Sequence, residues 1–219
     1  MKRTLSATVL LILFASLASA QSARFGFTAG ATYANMRETA PLYKSNGDYF
    51  TGVTFGILLD QPMQKNGSFQ LGVNFTQKGT KSMSPYIGST DGIKNVLNYL
   101  EVPMNVVFKF KHMGGKLLAG AGVSANFALS GKSTNSTTLR KTTLSFGNGN
   151  GDDLKGMDFG VDGLLGYEFK NGFFITGNYY HGVNTLVIGG QGNDKLFNCY
   201  FALRVGYLLK AATKKDKKK

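Results

Sequence analysis

Two histidines, one cysteine and a scatter of carboxylates are the side chains of this 219-residue sequence that could do covalent or acid–base chemistry. His181 stands in Tyr179-Tyr180-His181-Gly182. An acyl hydrolase would need a Ser, a His and a carboxylate brought together. No Ser lies beside His181, so it reads as an interfacial histidine flanked by tyrosines, with partners from other strands left open. His112 falls in a predicted short turn. Cys199 is the single cysteine, which excludes an internal disulfide and a cysteine-based metal cluster, and it reads as a small apolar residue. Gly120-Ala121-Gly122-Val123-Ser124-Ala125 has a dinucleotide-binding spacing. It sits inside a two-residue alternation with no helix after it, so that reading is rejected. Asp152 and Asp153, with Asn148 and Asn150, offer oxygen ligands for Ca²⁺. Their spacing matches no standard loop and reads as a solvated turn. Asn135-Ser136-Thr137 fits a glycosylation sequon, which carries little meaning behind a bacterial-type export signal. No catalytic, cofactor or metal site is expected from these residues.

The elements that carry these side chains repeat with a period of two. Between 99 and 110, Leu100, Val102, Met104, Val106, Phe108 and Phe110 point one way, while Tyr99, Glu101, Pro103, Asn105, Val107 and Lys109 point the other. Eight such strands are predicted over 24–34, 50–60, 68–79, 98–110, 116–129, 157–169, 173–183 and 197–209. Most reach ten residues, the length a tilted strand needs to cross a bilayer and longer than an ordinary soluble strand. The connections alternate. Gln61–Gly67, Lys111–Gly115 and Lys170–Gly172 are short and contain Asn-Gly or Gly-Gly, whereas 35–49, 80–97, 130–156 and 184–196 are long and polar. Short turns on one side and long loops on the other are the pattern of outer-membrane barrels. Aromatic residues gather toward both strand ends, as expected of two interfacial girdles. The expected fold is therefore all-β: an eight-stranded antiparallel up-and-down transmembrane β-barrel.

In that barrel the small and polar face turns inward. Gly26, Thr28, Gly30 and Thr32 lie on it, with the charges Asp60, Lys78, Glu101, Lys109, Asp158, Asp162, Glu168 and Arg204. Tyr99 and Tyr180 also look inward by alternation. Eight strands enclose a space that side chains fill. Glu101, Lys109, Asp158, Asp162, Glu168 and Arg204 are accordingly expected to form a structural polar network in the lumen. The alternative for the same residues is the lining of a narrow polar channel gated near Glu101 and Arg204.

The ends read separately. Lys2 and Arg3, the apolar run Leu5–Leu17 and Ala18-Ser19-Ala20 compose a secretory signal peptide over 1–20, too short to span a bilayer as a helix. Residues 21–209 are assigned to the barrel and 210–219 to a disordered Lys-rich periplasmic tail. The formal net charge is +13, of which Lys2, Arg3 and the last ten residues (six Lys against one Asp) supply +7. A basic balance so concentrated at the ends argues against a nucleic-acid-binding surface. The tail has three readings: a solvated end, a binder of an anionic periplasmic partner, cell-wall polymer or inner-leaflet headgroups, or a segment with no role.

Phe25-Gly26-Phe27-Thr28-Ala29-Gly30-Ala31, Tyr99-Leu100-Glu101-Val102-Pro103, the Gly-Ala-Gly strand after Gly114-Gly115, and the closing Arg204-Val205-Gly206-Tyr207 resemble the PorT-like outer-membrane β-barrel proteins. Ten residues follow Leu209, a departure from barrels that end on an aromatic residue. The resemblance implies an eight-stranded barrel in a Gram-negative outer membrane, and its namesake is linked to protein secretion and surface-protein export. The expected protein is thus a non-enzymatic outer-membrane barrel without cofactors, exported through the Sec pathway. Its partners are outer-membrane lipids, the barrel-assembly machinery during biogenesis, and envelope or secretion proteins that meet its long loops or tail. A small polar-solute channel, a lipid-modifying enzyme and a soluble periplasmic ligand-binding barrel are the alternatives. Pro103, which cannot donate to a ladder, is expected at an edge-tolerant or bulged position.

Overall fold

A strand with one apolar and one polar face must bury one of them, and in lipid it must also pair every backbone group with another strand. The chain meets both demands by closing on itself. The computed structural model describes residues 23–40, 43–63, 66–81, 92–135, 138–149, 151–188 and 195–210. The predicted signal peptide and nearly all of the tail lie outside the described residues. Eight long strands build the wall: β1 (Arg24–Ala40), β2 (Asp48–Pro62), β3 (Gly67–Lys81), β4 (Ile93–His112), β5 (Gly115–Asn135), β6 (Met157–Glu168), β7 (Phe173–Gly182) and β8 (Lys195–Leu208). Each pairs antiparallel with its sequence neighbours, and β1 pairs with β8 from Gly26↔Leu208 to Thr39↔Lys195. The result is a closed up-and-down barrel with no free edge among the eight.

The facing follows the alternation. Phe27, Phe55, Ile57, Val106, Phe108, Leu165, Leu203 and Val205 stand exposed on the outer wall. Asp60, Lys78, Glu101 and Asp158 are fully buried inside it. This is the reverse of a soluble ligand-binding barrel, which would turn apolar residues inward. Among the described residues no helix is long and apolar enough to cross a membrane.

The strands run further than the alternation suggested at the long-loop end. β1 reaches Ala40 and folds back on the short strand Tyr43–Asn46. β5 runs on to Asn135 and pairs with Lys141–Leu144. The reading that stopped β5 at 129 met a β-bulge. Asn98 pairs with Ser130 but Tyr99 pairs with Ala128, so Leu129 is the extra residue. Beyond it the buried positions change from Ser124 and Asn126 to Gly131 and Ser133. A bulge flips the parity of side chains and imitates the end of a strand in sequence. A parallel pair, Phe146–Gly147 with Leu154–Lys155, lies in the loop that follows.

The short turns are tight. His112 pairs with Gly115, leaving Met113 (φ 39°) and Gly114 (φ 85°) as a two-residue hairpin loop with both φ angles positive. Pro103 sits in β4 without a bulge on the β3 side. Pairing is interrupted between Leu71↔Met104 and Asn74↔Glu101, and the register is unchanged across the gap. Gly72 makes the room: a Cβ there would lie 2.9 Å from Pro103 Cγ and 3.3 Å from Cδ. Gly72→Ala is therefore expected to destabilise the barrel by about 1–3 kcal/mol through overpacking. Adding Pro103→Ala should relieve most of that loss. The urea midpoint of the heat-modifiable gel band in detergent micelles measures both; an unchanged midpoint in Gly72→Ala would contradict the close approach.

Candidate functional site

Inward positions of neighbouring strands stack into layers, and most inward charges among the described residues sort into two of them. At the short-turn end, Asp60 on β2 accepts from Lys109 Nζ of β4 at 2.6 and 2.8 Å, from Arg24 Nη2 of β1 at 2.6 Å and from Gln70 Nε2 of β3 at 3.2 Å. The Arg24 guanidinium also donates through both Nη atoms to Glu168 on β6, the Nη2 bond measuring 3.0 Å. Lys109 lies 3.5 Å from the same carboxylate. A planar five-donor group suits this bridging of two carboxylates. Five strands are thereby joined across the lumen by one cluster.

Above this cluster the lumen is partly apolar, with Val107, Leu118 and Leu164 packed together. A cavity of about 50 Å³ remains beside them. Asn74 Oδ1, Asn105 Oδ1 and Arg204 Nε belong to residues that line it, and none has a hydrogen-bond partner among the described residues. The volume suits a few water molecules, which such atoms are suited to bind.

The second charged layer lies further toward the long loops. Glu101 on β4 accepts from Tyr200 Oη at 2.7 Å and, through both oxygens, from Arg204 Nη2 at 3.3 Å. Lys78 on β3 donates to Asn126 Oδ1 at 2.9 Å and to Asp158 Oδ2 at 3.3 Å. Its ammonium also stands 3.8 Å from the ring centre of Tyr180, and 5.0 and 5.1 Å from those of Tyr99 and Tyr200. A desolvated cation among three aromatic faces gains cation–π stabilisation in addition to its ion pair. Asn198 donates to Asp158 Oδ2 at 2.9 Å and to Tyr99 Oη at 3.4 Å.

A third, apolar layer covers the mouth. Met36, Leu97, Leu186, Val187 and Leu196 are buried against Leu144 and Leu154 of the long loop after β5, with Phe146 packed on them. Backbone bonds hold the cover in place: Lys155 N donates to Leu186 O at 2.9 Å and Leu186 N to Leu196 O at 2.9 Å.

The six residues singled out in sequence are thus all inside, in two groups rather than one. Lys109 and Glu168 belong to the short-turn cluster, while Glu101, Arg204 and Asp158 belong to the upper layer. Asp162 faces the same lumen, makes no ion pair among the described residues, and leaves Oδ2 without a hydrogen bond. Sequence reasoning passed over Arg24, although it shares the parity of Gly26 and Thr28. It also missed the apolar cover, whose Leu144, Leu154 and Leu186 lie outside the eight long strands and follow no period. His181 and Cys199 meet on the outer side, Nδ1 to Sγ at 3.0 Å, with Tyr179 Oη 3.4 Å from the same nitrogen. Asp153 Oδ2 accepts from Ser145 N at 2.7 Å and Asp152 Oδ2 from Gly149 N at 2.9 Å, so both carboxylates serve the loop backbone.

The sequence profile of the outer membrane protein beta-barrel domain matches residues 19–187. The chain belongs to that family. Solved structures with a similar shape include the attachment invasion locus protein Ail of Yersinia pestis (13% identity, 86% of this chain and 99% of that one, TM-score 0.43). Neisserial surface protein A (14%, 84% and 96%, 0.44) is another. So is OprG from Pseudomonas aeruginosa (11%, 87% and 97%, 0.46). No curated protein sequence matches the chain.

Removing one member of a buried pair strands the other. Glu101→Gln leaves the Arg204 guanidinium uncompensated and is expected to lower stability by about 3–5 kcal/mol. The double variant Glu101→Leu/Arg204→Met should recover most of that loss. Urea titration in micelles followed by the gel shift separates the two results; equal losses in the single and double variants would show that the pair is not the source.

Proposed function

We propose that this outer-membrane barrel is sealed and non-enzymatic, and that it holds its long-loop end at the cell surface as a contact site for envelope or secretion proteins. The observation that carries the reading is the layered filling of the lumen: an ionic cluster at one end, a second buried ionic layer above it, and an apolar cover at the other end. The cavity between the two ionic layers, about 50 Å³, is too small to conduct hydrated ions. The polar-channel alternative needs an open path through these layers.

The loop end supports a contact role. Leu139 stands 75% exposed at φ 57°, a conformation that few side chains other than Asn and Asp adopt readily. Asn135 Oδ1 accepts from Thr138 N at 2.9 Å in the same turn. An apolar side chain held in a strained turn on a polar loop suits recognition better than solvation. The PorT-like resemblance of Tyr99–Pro103 and Arg204–Tyr207 supports an accessory role in export. The sequence of residues 1–20 supports Sec-dependent delivery to a Gram-negative outer membrane and folding by its barrel-assembly machinery.

Reconstituted in planar bilayers, the protein is expected to be electrically silent. A variant with Leu144, Leu154 and Leu186 replaced by Ser removes the cover but keeps both ionic layers, and it should stay silent while still showing the gel shift. Sustained unitary steps from the unmodified protein would overturn the sealed reading in favour of the channel.

A further inference from the structure

At the short-turn end, the periplasmic end in this architecture, a cleft of about 720 Å³ opens between the Met113–Gly114 turn, the Lys170–Gly172 turn and the end of β8. Its charge is unbalanced. Lys111, Lys170 and Lys210 line it and form no ion pair among the described residues. Glu168 is the only carboxylate in the lining, and it is already engaged by Arg24 and Lys109, with Lys116 at 3.9 Å. The three lysines continue the inward-facing positions of their strands, so the basic side of the cleft lies across the barrel mouth.

The other half of the lining is apolar. Met113 stands at its tip, 89% exposed and in the left-handed backbone region. Tyr167 Oη donates to the carbonyls of His112 (2.8 Å) and Met113 (3.3 Å) and so steadies that turn. Phe169 and Leu209, both more than two-fifths exposed and of the same parity as outer-wall Leu165 and Val205, complete the apolar side at the rim. Polar residues are the usual occupants of a tight turn tip. A methionine there is an adaptable apolar contact without a partner in its own chain.

We propose that this cleft docks an acidic peptide segment bearing an apolar side chain, supplied by a periplasmic partner protein. Carboxylates of the segment sit against Lys111, Lys170 and Lys210, and its apolar side chain lies against Met113, Phe169 and Leu209. Three observations select this occupant. The chain leaving the cleft after Lys210 reads Ala-Ala-Thr-Lys-Lys-Asp-Lys-Lys-Lys, which has the same sign as the cleft and cannot neutralise it. The three lysines turn toward the mouth and not toward the outer wall, where the acyl chains of a phospholipid lie. The mixture of cations and exposed apolar groups matches neither a free anion nor a purely acidic polymer.

The test uses the full chain in phosphatidylcholine nanodiscs and two fluorescein-labelled dodecapeptides, one repeating Asp-Glu-Leu and the other Asp-Glu-Ser, read by anisotropy. The Leu peptide is expected to bind saturably and more tightly than the Ser peptide, with affinity falling steeply from about 50 to about 500 mM salt. Lys111→Gln/Lys170→Gln should weaken both peptides by about tenfold or more. Met113→Ser should weaken the Leu peptide alone. The gel shift verifies that each variant is folded. Equal affinity for the two peptides would overturn the proposal, as would binding indifferent to Lys111→Gln/Lys170→Gln. Binding lost only when residues 211–219 are deleted would assign the attraction to the tail. Peptide binding abolished by phosphatidylglycerol in the disc would reassign the cleft to lipid headgroups.

Discussion

Charge compensation inside a space that holds neither lipid nor bulk water is the constraint on which the rest of this molecule rests. Ring closure satisfies the backbone, but it also delivers one face of every strand into a narrow interior. Among the described residues that interior includes the cations Arg24, Lys78, Lys109 and Arg204 and the carboxylates Asp60, Glu101, Asp158, Asp162 and Glu168. Of those named, all but Asp162 make an ion pair among the described residues. Buried pairs contribute little net stability against an apolar alternative, because desolvation offsets their attraction. Their value here is geometric. Arg24 reaches from β1 to β2 and, across the lumen, to β6, and a shift of one residue in any of these strands would turn a charge into lipid.

The same pairing separates the two ends of the protein. On the sealed reading proposed above, neither mouth is an entrance. The polar loops on one side and the basic cleft on the other are then independent surfaces on a rigid wall. Sequence changes in either can alter recognition without disturbing the pairs between them. Connecting segments carry variable function on a stable scaffold in many folds, and the spanning strands of this chain supply that scaffold.

Much of this was legible in the sequence because a strand writes its facing into alternate residues. In β4 the outward series Leu100 to Phe110 and the inward series Tyr99 to Lys109 stand where the alternation placed them. What the period could not carry was lost. Leu129 breaks the alternation as a bulge, so the strand beyond it looked like loop. Leu144 and Leu154 are far in sequence from Leu186 and Val187, and only the folding of two loops over the mouth brings them together. The pairing partners of the lumen charges were equally hidden, because parity assigns a face but not a height along the barrel axis. Arg24 shows the smaller failure: its parity was readable, yet it begins its strand and was passed over.

The seam of the barrel joins the two ends of the chain. Gly26 pairs with Leu208, a sequence separation that spans almost every residue of the wall. A ladder of this kind cannot form until the final strand has arrived. Until then β1 and β7 both present unpaired edges, which invite pairing with other chains. A chain whose last strand has not yet paired is therefore vulnerable, and closing the seam removes both edges at once. High contact order makes that event slow, so the fidelity of the whole process depends on how long the open sheet is shielded before its last neighbour is delivered.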